Sequence, residues 1–139
     1  MIAVDTNVLV YAHREEYPLH ARAKARIIGL ALGPAPWGVP VFCLGEFVRV
    51  VTHRRVLSPP SSLDQASAFL DRLGESDSFR VLLPDVEYWT DLKAALELAA
   101  ARGNLAFDAQ IAALCVRHGA TLLTADRDFA RFSIQTEAL

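Results

Sequence analysis

The chain has 139 residues, 53% of them hydrophobic, which is enough to form one globular domain that we expect to span residues 1–139. A net charge of −2 and a pI near 6.0 exclude a protein that binds a polyanion over its whole surface, so any nucleic acid must contact a local patch. No apolar run approaches the roughly 20 residues of a membrane-spanning helix, and no signal peptide precedes the first strand. We therefore predict a cytoplasmic protein, in which Cys43 and Cys115, both within apolar helical patterns, are buried free thiols.

The first ten residues are an apolar run, rich in β-branched side chains, that is interrupted by Asp5-Thr6-Asn7. Such a run is typical of a buried strand of a parallel sheet, and it places Asp5 at the carboxyl end of that strand. Ligands of open α/β sheets bind at this edge. Asp5 is therefore predicted either to cap the helix that follows or to take part in chemistry.

The rest of the chain alternates between predicted helices and strands. Periodic apolar residues predict the helices, and short runs bounded by turn residues predict the strands. In chain order these are helices over residues 8–14 and 18–32, a strand over 39–41, a helix over 42–52, a helix capped by Ser61 or Ser62 that ends near 73, a strand over 79–83, a helix over 86–101 capped by Asp85, a helix over 105–118 that ends at Gly119, a strand over 120–124, a helical turn over 126–131 and a last strand over 132–135. This alternation predicts an α/β protein, a three-layer α/β/α fold with a central parallel sheet.

The two tryptophans are predicted to pack in the interior rather than to stack on nucleic-acid bases. Trp89 belongs to a stripe at helical spacing that also contains Leu92, Leu96 and Ala99, and we expect this stripe to face the core. Trp37 lies in the connector before the second strand and is expected to pack locally.

Three further acidic residues occupy positions where the apolar pattern predicts the interior or a strand end. Glu46 and Asp108 lie on helix faces that otherwise carry apolar residues, and Asp126, like Asp5, follows a predicted strand. Each acid has a structural explanation when taken singly. Asp5 and Asp126 can cap helices, Asp108 can be a first-turn acid favoured by the helix dipole, and Glu46 can pair with Arg49.

Taken together, the four acids can converge on one edge of the sheet, because two of them end strands and two begin helices that follow loops. Carboxylates in one partly buried cleft repel each other, so the arrangement requires a bound cation or retained protons. Oxygen ligands favour Mg²⁺ or Mn²⁺, and the chain has no Cys/His cluster at the spacing of a zinc site. The pattern therefore indicates a Mg²⁺ or Mn²⁺ site.

The motifs around these acids resemble the four acidic motifs of PIN-domain ribonucleases, in the same order and at similar spacing. They are Val4-Asp5-Thr6-Asn7, Glu46 within Glu-Phe-Val-Arg, the segment from Gly103 to Ala113 that contains Asp108, and Thr124-Ala-Asp126-Arg-Asp128-Phe129. The similarity covers residues 1 to about 134, and the length is similar to that of VapC-type toxins of toxin–antitoxin pairs.

The resemblance implies an α/β/α domain, a metal-dependent endoribonuclease that hydrolyses RNA, frequent homodimers and an antitoxin partner. The antitoxin is expected to dock on apolar surface near the helices between residues 8 and 32. PIN domains also act in RNA processing and decay, so a processing nuclease that is not a toxin is the alternative. A non-catalytic RNA-binding or partner-binding module with a metal-stabilised scaffold is a further one.

For a nuclease of this kind, Asp5 and Asp108 are the first-choice metal ligands, and Glu46 and Asp126 complete the catalytic cluster directly or through water. A larger group has supporting roles. Thr6, Asn7 and Thr124 are expected to orient carboxylates or to contact a phosphate, Arg49 to contact a phosphate, and Asp128 to be either a fifth ligand or a surface charge.

Two other enzyme classes fit the sequence less well. A phosphatase of the haloacid-dehalogenase type requires a second aspartate two residues after the first, where this chain has Asn7. A metal-independent ribonuclease would use a pair of histidines, but the four histidines show no converging pattern. The run His53-Arg54-Arg55 is expected to be a solvated helix end rather than an RNA-binding patch.

Overall fold

A computed structural model describes residues 1–139 and contains one five-stranded parallel sheet. Its strands are β1 (Ile2–Val4), β2 (Trp37–Pro40), β3 (Phe79–Leu82), β4 (Thr121–Thr124) and β5 (Thr136–Ala138), in the order β3–β2–β1–β4–β5. Six helices flank the sheet: α1 (Thr6–His13), α2 (His20–Leu32), α3 (Val41–Val51), α4 (Leu63–Gly74), α5 (Tyr88–Leu98) and α6 (Leu105–His118). A short 3-10 helix, Arg127–Arg131, lies between β4 and β5. The predicted α/β/α fold with a central parallel sheet is confirmed.

The strand order changes direction at β1, which pairs with β2 on one side and with β4 on the other. The chain runs outward from β1 to β3, and it then crosses back to add β4 and β5 on the opposite side. Strands β1 and β4 end together, because Val4 lies opposite Leu123 and the Asp5 N–H donates to the Leu123 carbonyl at 3.1 Å. The crevice at such a switch in strand order is the usual ligand site of an open α/β sheet.

The core is formed by large side chains between the sheet and the helices. Trp37, Phe47 and Phe129 are fully buried, so the expected packing role of Trp37 is confirmed. Cys43 and Cys115 are buried free thiols, as predicted. None of the helices combines the length and the apolar character needed to cross a bilayer.

Several details of the element predictions are wrong. Strand β2 begins at Trp37 rather than at residue 39, and α5 ends at Leu98 rather than at residue 101. Residues 132–135 form no strand: Phe132 is buried beside Phe129, and the chain joins the sheet only from Thr136. Trp89 is 59% exposed, although Leu92 and Ala99 of the same predicted stripe are buried. The start of α5 also lies two residues later than predicted.

Candidate active site

Asp5 is the most deeply buried acid of the predicted cluster, with 4% of its surface exposed. It follows β1 directly and is the N-cap of α1, where its Oδ1 accepts a hydrogen bond from the Thr6 N–H at 2.7 Å. Its Oδ2 accepts from Asn7 Nδ2 and from Thr124 Oγ1, both at 2.6 Å. Asp5 therefore caps the helix and also holds a fixed carboxylate at the switch in strand order.

The residues predicted to orient carboxylates form a network around Asp5. The Thr6 hydroxyl donates to Glu46 Oε2 at 2.9 Å, which ties α1 to α3. Asn7 Nδ2 also donates to Thr124 Oγ1 at 3.1 Å, and the Asp126 N–H donates to the same Thr124 oxygen at 2.9 Å. The network thus joins the chain after β1 to the chain after β4.

The four predicted acids line one open cleft of about 280 Å³. Asp5 forms its floor, Glu46 reaches it from α3 and Asp108 from the first turn of α6. Asp126 lies in the loop after β4 and is exposed, and its Oδ1 accepts a hydrogen bond from the Asp128 N–H at 2.8 Å. The acids therefore come from four separate parts of the chain, as the sequence pattern predicts.

Thr124, which is buried, and two exposed residues of the predicted supporting set do not line the cleft. Arg49 is 64% exposed at its side chain, and its Nη2 lies 3.3 Å from Glu46 Oε1 in an i,i+3 surface pair. Asp128 is exposed in the short 3-10 helix after Asp126. Both lie next to cluster acids, so they can act on the cleft only from its rim.

The electrostatics of the cleft disfavour four bare carboxylates. The pKa of Asp5 is raised from 3.8 to about 6, chiefly by burial. The hydrogen bonds from Thr124 and Thr6 lower this pKa, whereas the charges of Asp108 and Glu46 raise it. Burial also raises the pKa of Asp108 to about 6, with added repulsion from Asp126, Glu46 and Asp128. No lysine, arginine or histidine lines the cleft. The site therefore lacks a positive charge of its own.

A divalent cation fits this site in the chemistry of the donors. The cleft supplies hard anionic oxygens and no sulfur or imidazole ligand. The carboxylates lie farther apart than a bound ion requires, since no three His, Cys, Asp or Glu side chains are close enough together to hold a metal. Binding therefore requires some carboxylates to move inward, which Glu46 and Asp126 can do because neither is buried.

Sequence reasoning missed two aromatic residues that line the same cleft, Tyr11 of α1 and Tyr17 of the loop after it. Tyr11 lies one helical turn after Asn7, a spacing that places both side chains on one face of α1 and could have identified it. Nothing in the sequence marks Tyr17, because its position depends on the path of a loop. Val10 and Val50 also line the cleft.

The four histidines do not form a catalytic pair in this cleft, since none of them lines it. His13 contacts the Ser61 hydroxyl, and His20 contacts the Tyr11 carbonyl. The position two residues after Asp5 carries an amide that donates to Asp5, rather than the second aspartate of a haloacid-dehalogenase-type phosphatase. The geometry supports neither alternative enzyme class.

Comparison with known proteins identifies the family. The family described as PIN domain matches residues 2–135. The chain belongs to the PIN-domain family. The predicted resemblance to PIN-domain ribonucleases is thereby confirmed.

The curated relatives are VapC ribonucleases from mycobacteria. VapC ribonuclease Mb2897 of Mycobacterium bovis is 39% identical over 132 residues, a match that covers 95% of this chain and 90% of the relative. Ribonuclease VapC25 of Mycobacterium tuberculosis is 32% identical over 133 residues, with 96% and 94% covered. Among solved structures, the chain is similar to VapBC2 from Rickettsia felis bound to a DNA fragment from its promoter. The two superimpose with a TM-score of 0.71 at 20% identity, and the match covers 100% of this chain and 99% of the other.

Proposed function

We propose that this protein is a VapC-type toxin, an endoribonuclease that hydrolyses RNA phosphodiester bonds with the help of Mg²⁺ or Mn²⁺. The observation that carries the proposal is the cleft at the switch in strand order, where four carboxylates from four parts of the chain meet without a positive residue. Membership of the PIN-domain family and relatives that are VapC ribonucleases over nearly their full length support the same function.

In this proposal Asp5 and Asp108 are the principal metal ligands, and Glu46 and Asp126 bind the ion directly or through water. A bound divalent ion would lower the pKa of a water molecule and offset negative charge on the scissile phosphate. Asp5 is held in place for this role by three hydrogen bonds. Asp108 accepts no hydrogen bond and has a raised pKa, so its charge is the one that most needs a cation.

The remaining predicted residues act on the carboxylates or the substrate from around the cleft. Thr6 orients Glu46, while Asn7 and Thr124 orient Asp5. Arg49 is our candidate for a contact with an RNA phosphate, because its exposed guanidinium lies beside Glu46 at the rim. The role of Asp128 is to shape the charge around Asp126, whose carboxylate accepts its N–H.

A groove between α1, α2 and α4 supports the antitoxin as a partner. It encloses about 680 Å³ and is lined by apolar side chains from all three helices, among them Ala12, Ile27, Ile28, Phe69 and Leu73. Ile28 is 47% exposed, so this surface is not fully used by the fold. We propose that the antitoxin docks in this groove, close to the helices indicated by the sequence resemblance.

Three further parts of the proposal concern the protein as a whole. Residues 1–139 act as one nuclease domain, since a single hydrophobic cluster includes residues from β1 to Leu139. The protein works in the cytoplasm, which is in keeping with two free and buried thiols. The protein forms a homodimer in this proposal. A second copy would cover the exposed apolar side chains of Val86, Trp89 and Phe107.

Incubation of purified protein with RNA tests the enzymatic proposal. We expect cleavage with Mg²⁺ or Mn²⁺, none with EDTA, and product ends without a 2′,3′-cyclic phosphate. Asp108→Asn should lower the rate by about 10²-fold or more, as expected for loss of an electrostatic contact to the reacting groups. Asp71→Asn is a matched control, because Asp71 is exposed on α4 and outside the cleft, and it should cleave at the parental rate.

Cleavage that persists in EDTA and leaves cyclic phosphates, or an Asp108→Asn variant as active as the parent, would refute the metal-dependent mechanism. Expression in cells tests the toxin assignment separately. Production of the active protein alone should arrest growth, and co-production of its antitoxin should restore it. Normal growth with soluble, active protein would identify a processing nuclease instead.

A further inference from the structure

The acidic cleft has a second wall that the metal site does not explain. Tyr11 and Tyr17 line it together with Val10 and Val50, and all the charged residues that line it are carboxylates. The two tyrosine rings are close to each other, with centroids 4.9 Å apart and planes inclined by 51°. An aromatic pair thus borders the carboxylates at which RNA would be cleaved.

Both tyrosines are fixed in place and only partly covered. The Tyr11 carbonyl accepts a hydrogen bond from His20 Nδ1 at 2.8 Å, which anchors the start of α2 to α1. The Tyr17 carbonyl accepts from the His20 N–H at 3.0 Å, so the same residue holds the loop. Both side chains are half-buried, and part of each is therefore open to the cleft.

The electrostatic environment places Tyr11 close to the cluster. Burial, Tyr17 and the charges of Asp5 and Asp126 all raise the pKa of the Tyr11 phenol. An uncharged aromatic ring suits this position, because an ionised group here would add to the repulsion among the acids. The ring can therefore serve in binding but not as a proton acceptor at neutral pH.

RNA needs such a contact because the acids repel its phosphates. The cleft has no basic lining residue, and Arg49 lies at the rim in a pair with Glu46. Aromatic side chains bind unstacked bases of single-stranded RNA by stacking, in a manner that tolerates different sequences. At about 280 Å³ the cleft is slightly below the usual size range of ligand pockets.

We propose that Tyr11 and Tyr17 bind the nucleobase next to the scissile phosphate by stacking on it. This proposal rests on the ribonuclease function argued above. Tyr17, on the loop after α1, stacks on the base, and Tyr11 packs beside it from α1. The base is thereby held while the phosphate beside it lies over the carboxylates.

Substitutions that remove the ring but keep bulk test the proposal. In steady-state cleavage of an unstructured RNA, Tyr11→Leu and Tyr17→Leu should raise KM about 5- to 150-fold, which corresponds to the ~1–3 kcal/mol of a base–aromatic stack, and should change kcat little. Tyr11→Phe and Tyr17→Phe keep the ring and should stay close to the parent. Leu63→Ala is the control for loss of an exposed apolar side chain outside the cleft, and it should leave KM unchanged.

A direct readout of stacking does not depend on these variants folding. An RNA that carries 2-aminopurine beside the cleavage position should lose fluorescence on binding to the Asp108→Asn protein. Unquenched fluorescence, or Leu variants with the KM of the Phe variants, would overturn the stacking proposal. If the parent cleaves RNA with metal while the Leu variants behave normally, only this proposal fails. If the parent does not cleave RNA, the proposed function itself fails.

Discussion

Asp5 and Asp108 carry the same functional group but have different neighbours. The Asp5 carboxylate is buried and accepts three hydrogen bonds, one at Oδ1 and two at Oδ2. The Asp108 carboxylate is half-buried, accepts no hydrogen bond and is repelled by three other acids. The two residues therefore contribute differently to the free energy of unfolding, although both are assigned to the metal.

We predict that Asp5→Asn is less stable than Asp108→Asn by about 1–3 kcal/mol in EDTA at neutral pH. Both substitutions relieve repulsion, but only the first leaves a buried donor without its acceptor, because donors face both carboxylate oxygens of Asp5 and an amide keeps only one oxygen. Urea unfolding of the two variants and the parent measures the difference. Equal stabilities would mean that the hydrogen bonds to Asp5 contribute nothing net, and the proposed fixed carboxylate would lose its physical basis.

At the scale of elements, local signals explain most of what the sequence predicts correctly. Gly119 ends α6 with φ of 57°, a left-handed conformation that glycine adopts without strain. Ser62 caps α4 in a reciprocal pair with Gln65, as the sequence Ser-x-x-Gln indicates. Such motifs act within a few residues and are visible in the sequence itself.

The elements predicted less well depend on contacts between distant residues. The start of α5 is delayed because the Asp85 carboxylate accepts the Glu87 N–H and pairs with Arg117 of α6. Strand β5 is held at a later position by pairing with β4 and by the ion pair of Glu137 with Arg26 of α2. Neither partner could be assigned from the sequence pattern alone.

The same distinction applies to the cleft. Four acids could be predicted because strand ends and helix starts share one edge of a parallel sheet, whatever the details of packing. Tyr17 could not be predicted, because its place in the cleft depends on the loop between α1 and α2 and on the hydrogen bond from His20. The wide spacing of the carboxylates could not be predicted from the sequence either, since it depends on side-chain conformations.

The packing of β2 against β3 gives a prediction about an element. A Cβ atom at Gly38 would lie 2.4 Å from the Arg80 carbonyl oxygen of β3, so Gly38→Ala must displace backbone. We expect a loss of about 1–3 kcal/mol in the free energy of unfolding, the usual cost of overpacking. Gly29→Ala in α2 is the control, because nothing lies within 4 Å of its Cβ position, and a gain of up to about 1 kcal/mol is expected from helix propensity. Denaturant unfolding compares them, and a neutral Gly38→Ala would show that the two strands can separate at no cost.

At the scale of the whole molecule, strand order determines where negative charge collects. Because β1 and β4 are neighbours that end together, the residues that follow them meet in the crevice, and α3 and α6 add Glu46 and Asp108. The fold therefore concentrates like charges at its functional edge, where they oppose folding unless protons or a cation neutralise them.

We predict that the metal-free protein becomes less stable as the pH rises from about 4 to about 6. The pKa values of Asp5 and Asp108 are raised from 3.8 to about 6 in the folded chain, so in this range the folded state retains protons that the unfolded state has released. Glu16 and Asp85 pair with arginine and have lowered pKa values, so they oppose this trend only at its acid end, up to their unfolded-state pKa values of 4.5 and 3.8. Thermal unfolding in EDTA across the range measures the trend, and Asp108→Asn should weaken it.

A divalent cation should reverse this loss above pH 6, where the carboxylates are ionised. An ion that binds only the folded state adds RT ln(1 + [L]/Kd), about 2.7 kcal/mol at a hundredfold excess over Kd, so Mg²⁺ or Mn²⁺ should raise the Tm of the parent at pH 7. The rise in Tm should shrink below pH 6, because protons compete for the same oxygens. It should also be smaller in Asp108→Asn. In EDTA, Asp108→Asn should be at least as stable as the parent. A parent without any metal response, together with an Asp108→Asn variant that is much less stable in EDTA, would mean that the acids serve as structural hydrogen-bond acceptors and that the cleft binds no metal.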